Sequence, residues 1–139
     1  SHQMMPKALS ELGLIPAIDD LTKSSLYYAN IKYTFEHFNI SDNERLPENI
    51  EITLYRIAQE LINNIIKHSK AKLVSIQLIK SNKHILLVAE DDGIGIDKLK
   101  LGNGIGVTSI KSRLEMIKGE VNFDIGPEKG TIVTIKIPI

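Results

Sequence analysis

From Glu48 to Ser69 apolar residues return every three or four positions, so that Leu54, Ile57, Ala58, Leu61 and Ile65 share one face of a long helix. A helix patterned this way has to bury that face, and the chain must supply a second layer for it to pack on. The opposite face carries Arg56, Glu60, Asn64 and His68 at four-residue intervals, with Lys67 beside them. A carboxylate, a carboxamide and cations one turn apart can orient a water, hold a divalent metal through oxygen and meet a phosphate. Taken alone, the same residues are equally those of a solvated polar face.

The partner layer is legible in the alternating segments. Ile31 to Ile40 places Ile31, Tyr33 and Phe35 on one side and Lys32, Thr34 and Glu36 on the other, the pattern of a half-buried strand. Lys72 to Ser81 alternates through Val74, Ile76 and Leu78, and a turn at Ser81, Asn82 and Lys83 leads into Ile85 to Ala89, which reads as a strand buried on both faces. Val121 to Ile125 and Thr131 to Ile139 form two last strands around the turn from Gly126 to Gly130. Helix is expected from Lys7 onward with a break at Gly13 and Pro16, from Pro47 or Glu48 to about Ser69, and from Val107 to Lys118 with Gly119 as its stop. The expected fold is therefore an α/β (α+β) two-layer sandwich, with about three helices on one face of a mixed sheet of about five strands.

Bulk composition narrows the function. The 139 residues suit one core, and 42% hydrophobic against 24% charged residues is a folded rather than a disordered balance. Seventeen basic residues cancel seventeen acidic ones, which argues against direct contact with nucleic acid or an anionic membrane. The chain contains no cysteine, which removes disulfides and thiolate chemistry and suits a reducing cytoplasm. No apolar run approaches the roughly 20 residues that span a bilayer, although a parent protein could be anchored elsewhere.

Two glycine-rich segments sit where the elements end. Asp91-Asp92-Gly93-Ile94-Gly95 leaves an apolar strand, so a carboxylate there is held by rigid backbone and can accept from an exocyclic amine such as that of adenine. An Asp-Gly turn between strands has the same composition. Gly102-Asn103-Gly104-Ile105-Gly106 precedes a helix, where backbone N–H groups and the positive helix end favour phosphate. It is not the dinucleotide fingerprint, because Val107 stands at the third glycine position, and no GxxxxGK[ST] loop is present.

In this order the segments resemble the nucleotide-binding domain of bacterial sensor histidine kinases, within the wider Bergerat-type family that also holds gyrase, Hsp90 and MutL ATPase domains. The matching residues are Glu60, Asn64, Lys67 and His68 for an asparagine box, and Asp91, Gly93 and Gly95 for a first glycine box. Gly104, Ile105, Gly106 and Val107, with Arg113 and Gly119, match a second, and Gly130-Thr131 a last element. The likeness runs from about residue 27 to 139, while residues 1–26 are similar to a linker after the dimerisation helix in kinases that pair with LuxR-like response regulators. His2 lacks the His-Asp context of that subfamily's phosphoacceptor, and His37 and His84 fall in a strand and a turn.

The resemblance implies ATP and magnesium as ligands. Asp91 would receive the adenine amine, with Gly93, Gly95 and Ile96 giving close backbone and Thr131 a supporting contact. Asn64 would hold magnesium, Lys67 would neutralise phosphate charge, and His68 would stand near the nucleotide. Glu60 would orient or deprotonate the incoming nucleophile. Gly104, Ile105, Gly106 and Val107 would form the lid hinge over the phosphates. Partners implied are an upstream dimerisation and phosphoacceptor domain, a response regulator, and a second copy in a full-length homodimer. Asp92 departs from the asparagine of many relatives, and the lid between Ile96 and Gly104 is short, leaving Lys98 and Lys100 as its cations. A related anti-sigma-factor serine kinase shares two of these boxes, but the segment from Pro6 to Leu14 argues against it; intact Glu60 and Asn64 argue against an inert binding module.

Overall fold

The computed structural model describes residues 5–95, 105–127 and 129–139. In chain order the elements are α1 (Lys7–Leu12), α2 (Leu14–Tyr28), β1 (Lys32–Phe38), α3 (Glu48–Asn64), β2 (Leu73–Lys80), β3 (His84–Asp91), α4 (Ile105–Glu115), β4 (Glu120–Ile125) and β5 (Thr131–Pro138). The strands form one sheet in the order β1-β2-β3-β5-β4. Only β1 and β2 run parallel, and the other neighbours are antiparallel. Parallel neighbours cannot be joined by a tight turn, so the chain crosses between them, and α3 is the crossover.

The helix α3 starts after Pro47, whose fixed φ and missing N–H suit the entrance to a helix. Glu48 and Glu51 lie in its first turn, where the helix dipole favours acids. Its apolar stripe is buried as the periodicity requires: Leu54 and Ile57 are fully enclosed, with Ala58, Leu61, Ile62 and Ile65 beside them. Each large aliphatic chain withdrawn from water contributes about 2 kcal/mol, so this stripe anchors the polar face behind it. The stripe joins a single core with Ile76, Leu78, Ile85, Leu87, Ile135 and Ile137 from the sheet and Ile110 and Leu114 from α4.

In β3, burial alternates: Ile85, Leu87, Ala89 and Asp91 are enclosed, while Leu86 and Val88 are only partly covered. The expected strand buried on both faces is thus corrected to one buried on a single face. Ile85, Leu87 and Ala89 belong to the core shared with the helices, and the residues between them do not. Further differences are local. His84 opens β3 instead of sitting in the turn, and α4 begins at Ile105, two residues ahead of the expected start.

The end of the long helix is where periodicity misled. Regular α-helix stops at Asn64, and Ile65–Ser69 wind as a π-helical turn that closes on Lys70 in the left-handed region, at φ 56°. Lys67 and His68 lie in this wider-wound turn, beyond the regular α-helix that carries Arg56, Glu60 and Asn64.

Candidate functional site

The sheet brings β3 to an end beside the π turn, and the contact between them is backbone on backbone. Ile94 N–H donates to the Ser69 carbonyl at 2.7 Å. A Cβ on Gly93 would lie 2.2 Å from that same oxygen, so no other residue fits there without moving the turn. Ser69 is itself fixed, because its Oγ donates to the Ile65 carbonyl at 2.7 Å and accepts from Ala71 N–H at 3.0 Å. The helix end and the first glycine segment are therefore riveted together through Ser69.

Asp91 stands at the last position of β3, on its enclosed side and only 6% exposed. Its Oδ1 accepts from Gly93 N–H at 2.8 Å. Burial pushes the carboxyl above its ordinary range against the pull of that N–H, and the charges of Asp92 and Glu90 push the same way. A buried carboxylate with acceptor capacity to spare wants a donor, and an amine of a flat ring is one that fits beside glycines. Across the ladder Asp91 pairs with Thr131, which is also enclosed. Gly130, at φ +90°, turns the chain into β5 so tightly that its Cβ would meet the Asp91 carbonyl oxygen at 2.0 Å. Gly95, at φ +86°, has the Gly130 carbonyl as the nearest atom to a Cβ, at 3.4 Å. Asp91, Gly93, Gly95, Gly130 and Thr131 thus form one corner.

Asp92 points the other way. Its Oδ1 accepts from Lys72 N–H at 2.8 Å and Leu73 N–H at 3.0 Å, closing the start of β2. The Leu73 and Lys72 N–H groups hold its carboxyl below the ordinary range. Its charge is engaged by backbone, and the departure from asparagine at this position leaves the Asp91 corner intact.

On α3, Glu60 is half-buried and its Oε1 accepts from Ser109 Oγ at 2.8 Å and Arg113 Nε at 2.9 Å, both on α4. Asn64, Lys67 and His68 are exposed. Val107 is half-buried in the first turns of α4, which also include Ile105 and Gly106. Ile96, Gly104, Lys98 and Lys100 lie outside the described residues.

Three residues with structural weight were not singled out by pattern. Ser109 gave no signal because its partner is 49 positions away. Ser69 looked like the last residue of a helix. Glu51, 1% exposed, takes Arg45 Nη2 at 2.9 Å and Nε at 3.1 Å and Leu46 N–H at 3.2 Å, while Arg45 also donates to the Leu9 and Ser10 carbonyls of α1.

An open mixed sheet with its helices on one face and a buried aspartate at the glycine corner defines a class of ATP-binding module. Residues 49–139 match the Histidine kinase-, DNA gyrase B-, and HSP90-like ATPase family, and the chain belongs to it. Among particular proteins, it is 35% identical over 139 residues to the signal transduction histidine-protein kinase/phosphatase DegS of Brevibacillus brevis, covering 99% of this chain and 36% of that protein. It is 32% identical over 144 residues to the oxygen sensor histidine kinase NreB of Staphylococcus carnosus, covering all of this chain and 40% of that one. The chain therefore spans well under half the length of these relatives. In structure it is similar to the blue-light activated histidine kinase of Erythrobacter litoralis EL346, with a TM-score of 0.75 over 90% of this chain and 45% of that one at 20% identity, a likeness of fold.

Proposed function

We propose that this chain is the ATP-binding catalytic domain of a sensor histidine kinase, and that it moves the γ-phosphoryl of ATP to a histidine on an upstream dimerisation domain, for relay to a response regulator. The observation that carries this reading is the buried Asp91 carboxyl in the corner of Gly93, Gly95, Gly130 and Thr131. A buried acid beside close-approach backbone recognises an amine on a planar ring, and adenine presents one.

Asn64 and Lys67, exposed near the riveted helix end, are assigned to the metal and phosphates, with His68 beside them and Gly104, Ile105 and Gly106 as hinge. The donor set suits magnesium, a hard cation that keeps several waters and takes few protein ligands. Among the described residues no cluster of three His, Cys, Asp or Glu forms a protein cage for a metal, and one carboxamide oxygen agrees with a cation shared with phosphate. Held by Asn64, magnesium would supply charge neutralisation at the phosphates, alongside Lys67. In the transfer an imidazole nitrogen forms the N–P bond while the bond from phosphorus to the β,γ-bridging oxygen breaks and ADP leaves with that electron pair. Glu60 takes the proton released by the ring. The full-length protein is assigned as a homodimer acting in the cytoplasm; among the described residues no helix is long and apolar enough to cross a membrane.

Labelled ATP and the cognate helical acceptor domain test this assignment. Acid-labile label on the acceptor histidine is the expected result. Acid-stable label on serine would instead indicate a serine kinase, and tight ATP binding with no transfer would indicate an inert module.

A further inference from the structure

Glu60 and α4 are joined more firmly than a base and a neighbouring helix need to be. Two donors one turn apart on α4, Ser109 Oγ and Arg113 Nε, converge on the same oxygen, Oε1, at 2.8 and 2.9 Å. The other oxygen, Oε2, is buried and has no hydrogen-bond partner among the described residues. The helix that carries both donors is held in place by Ile110 and Leu114, 1% and 2% exposed, whose side chains sit in the core. A carboxylate fixed at one oxygen by two donors, one of them cationic, has its plane set before substrate arrives. The two donors therefore restrain the carboxylate from one side, through Oε1.

We infer that Ser109 and Arg113 are positioning residues for phosphoryl transfer: together they hold Oε1 of Glu60 and so set the orientation of its carboxylate for the incoming nucleophile. This rests on the proposed role of Glu60 as base. As the N–P bond forms and ADP departs, the ring proton passes to the Glu60 carboxylate, while Arg113 and Ser109 keep that carboxylate from rotating. Neither residue touches nucleotide in this scheme, so their removal slows transfer without weakening ATP binding.

The test is transfer from ATP to the acceptor domain supplied with this chain, measured for Glu60→Gln, Ser109→Ala, Arg113→Ala and Arg113→Lys and for Arg113→Ala combined with Glu60→Gln. Loss of the base lowers kcat by on the order of 100-fold. Arg113→Ala should lower kcat roughly 10-fold and Ser109→Ala roughly 3-fold, with KM for ATP within about twofold of the parent. Arg113→Lys should recover part of the loss, and Arg113→Ala should cost nothing further when Glu60 is already Gln, because it acts only through that carboxylate. Should Arg113→Ala fail to fold by thermal denaturation, Ser109→Ala, which removes one hydroxyl, carries the same prediction. Undiminished kcat in both α4 variants, a raised KM, or an equal loss in the Glu60→Gln background would each overturn the positioning role while leaving the base intact. Full activity of Glu60→Gln would instead overturn the base itself.

Discussion

Replacing Gly93 with alanine loads the contact that joins the helix end to the glycine corner. The added Cβ would stand 2.2 Å from the Ser69 carbonyl oxygen and 2.7 Å from Ser69 Cβ. A close carbon–oxygen contact sits near about 3.3 Å, so something must move by about 1 Å. The obstructing oxygen is backbone, and its two possible retreats both break a bond. If Ser69 yields, the bond of 2.7 Å from Ile94 N–H is lost; if the turn yields, Gly93 N–H leaves Asp91 Oδ1 at 2.8 Å. Overpacking costs roughly 1–3 kcal/mol and a buried bond left unmade a similar amount, so a loss of about 3 kcal/mol is expected. In a domain of this size that lowers the unfolding midpoint by roughly 10 °C, measured by circular dichroism on heating. Gly93 is not among the glycines with positive φ, so the loss reports the contact and not backbone strain. Gly95→Ala is the contrast: its Cβ would find ordinary space at 3.4 Å, and the strain at φ +86° alone costs about 1 kcal/mol. A Gly93→Ala midpoint within about 2 °C of the parent would refute the steric argument.

Glu51→Ala should cost about 2 kcal/mol in chemical denaturation, because it strands the Leu46 N–H and the Arg45 guanidinium that ties α1 to α3; a loss under about 0.5 kcal/mol would mean the pair is not structural. The Asp91 carboxyl is held above its ordinary range, so the folded chain binds that proton more tightly than the unfolded one, and its contribution is present at acid pH and lost as pH rises through the folded value. Asp91→Asn keeps an Oδ1 for the Gly93 N–H, so without nucleotide it should melt a few degrees above the parent at neutral pH, with the gap closing toward acid; a gap that widens on acidification would contradict the burial argument.

Much of the fold was readable because strong periodicities are set by the need to bury one face. The stripe from Leu54 to Ile65 and the hairpin of β2 and β3 fall where alternation and turn residues put them. What escaped depends on residues distant in the chain. Nothing local distinguishes a run of Ile, Leu, Val and Ala covered on two faces from one covered on a single face, and it is the tertiary packing that leaves Leu86 and Val88 only partly covered. The π turn at Ile65–Ser69 ends on a residue whose carbonyl takes the Ile94 N–H, a tertiary bond that no propensity encodes. At the site, Asp91, Gly93 and Thr131 lie together in a single corner, because those motifs report backbone geometry. The fastening of Glu60 by Ser109 and Arg113 was invisible because it links residues 49 and 53 positions apart.

The account stands on Asp91 as the group that recognises adenine. Titration calorimetry of magnesium-ATP into this chain and into Asp91→Asn should show affinity falling by at least on the order of 100-fold, the loss of one charge-assisted bond in a buried site. An affinity in the variant within about twofold of the parent, with the fold intact by circular dichroism, would contradict it.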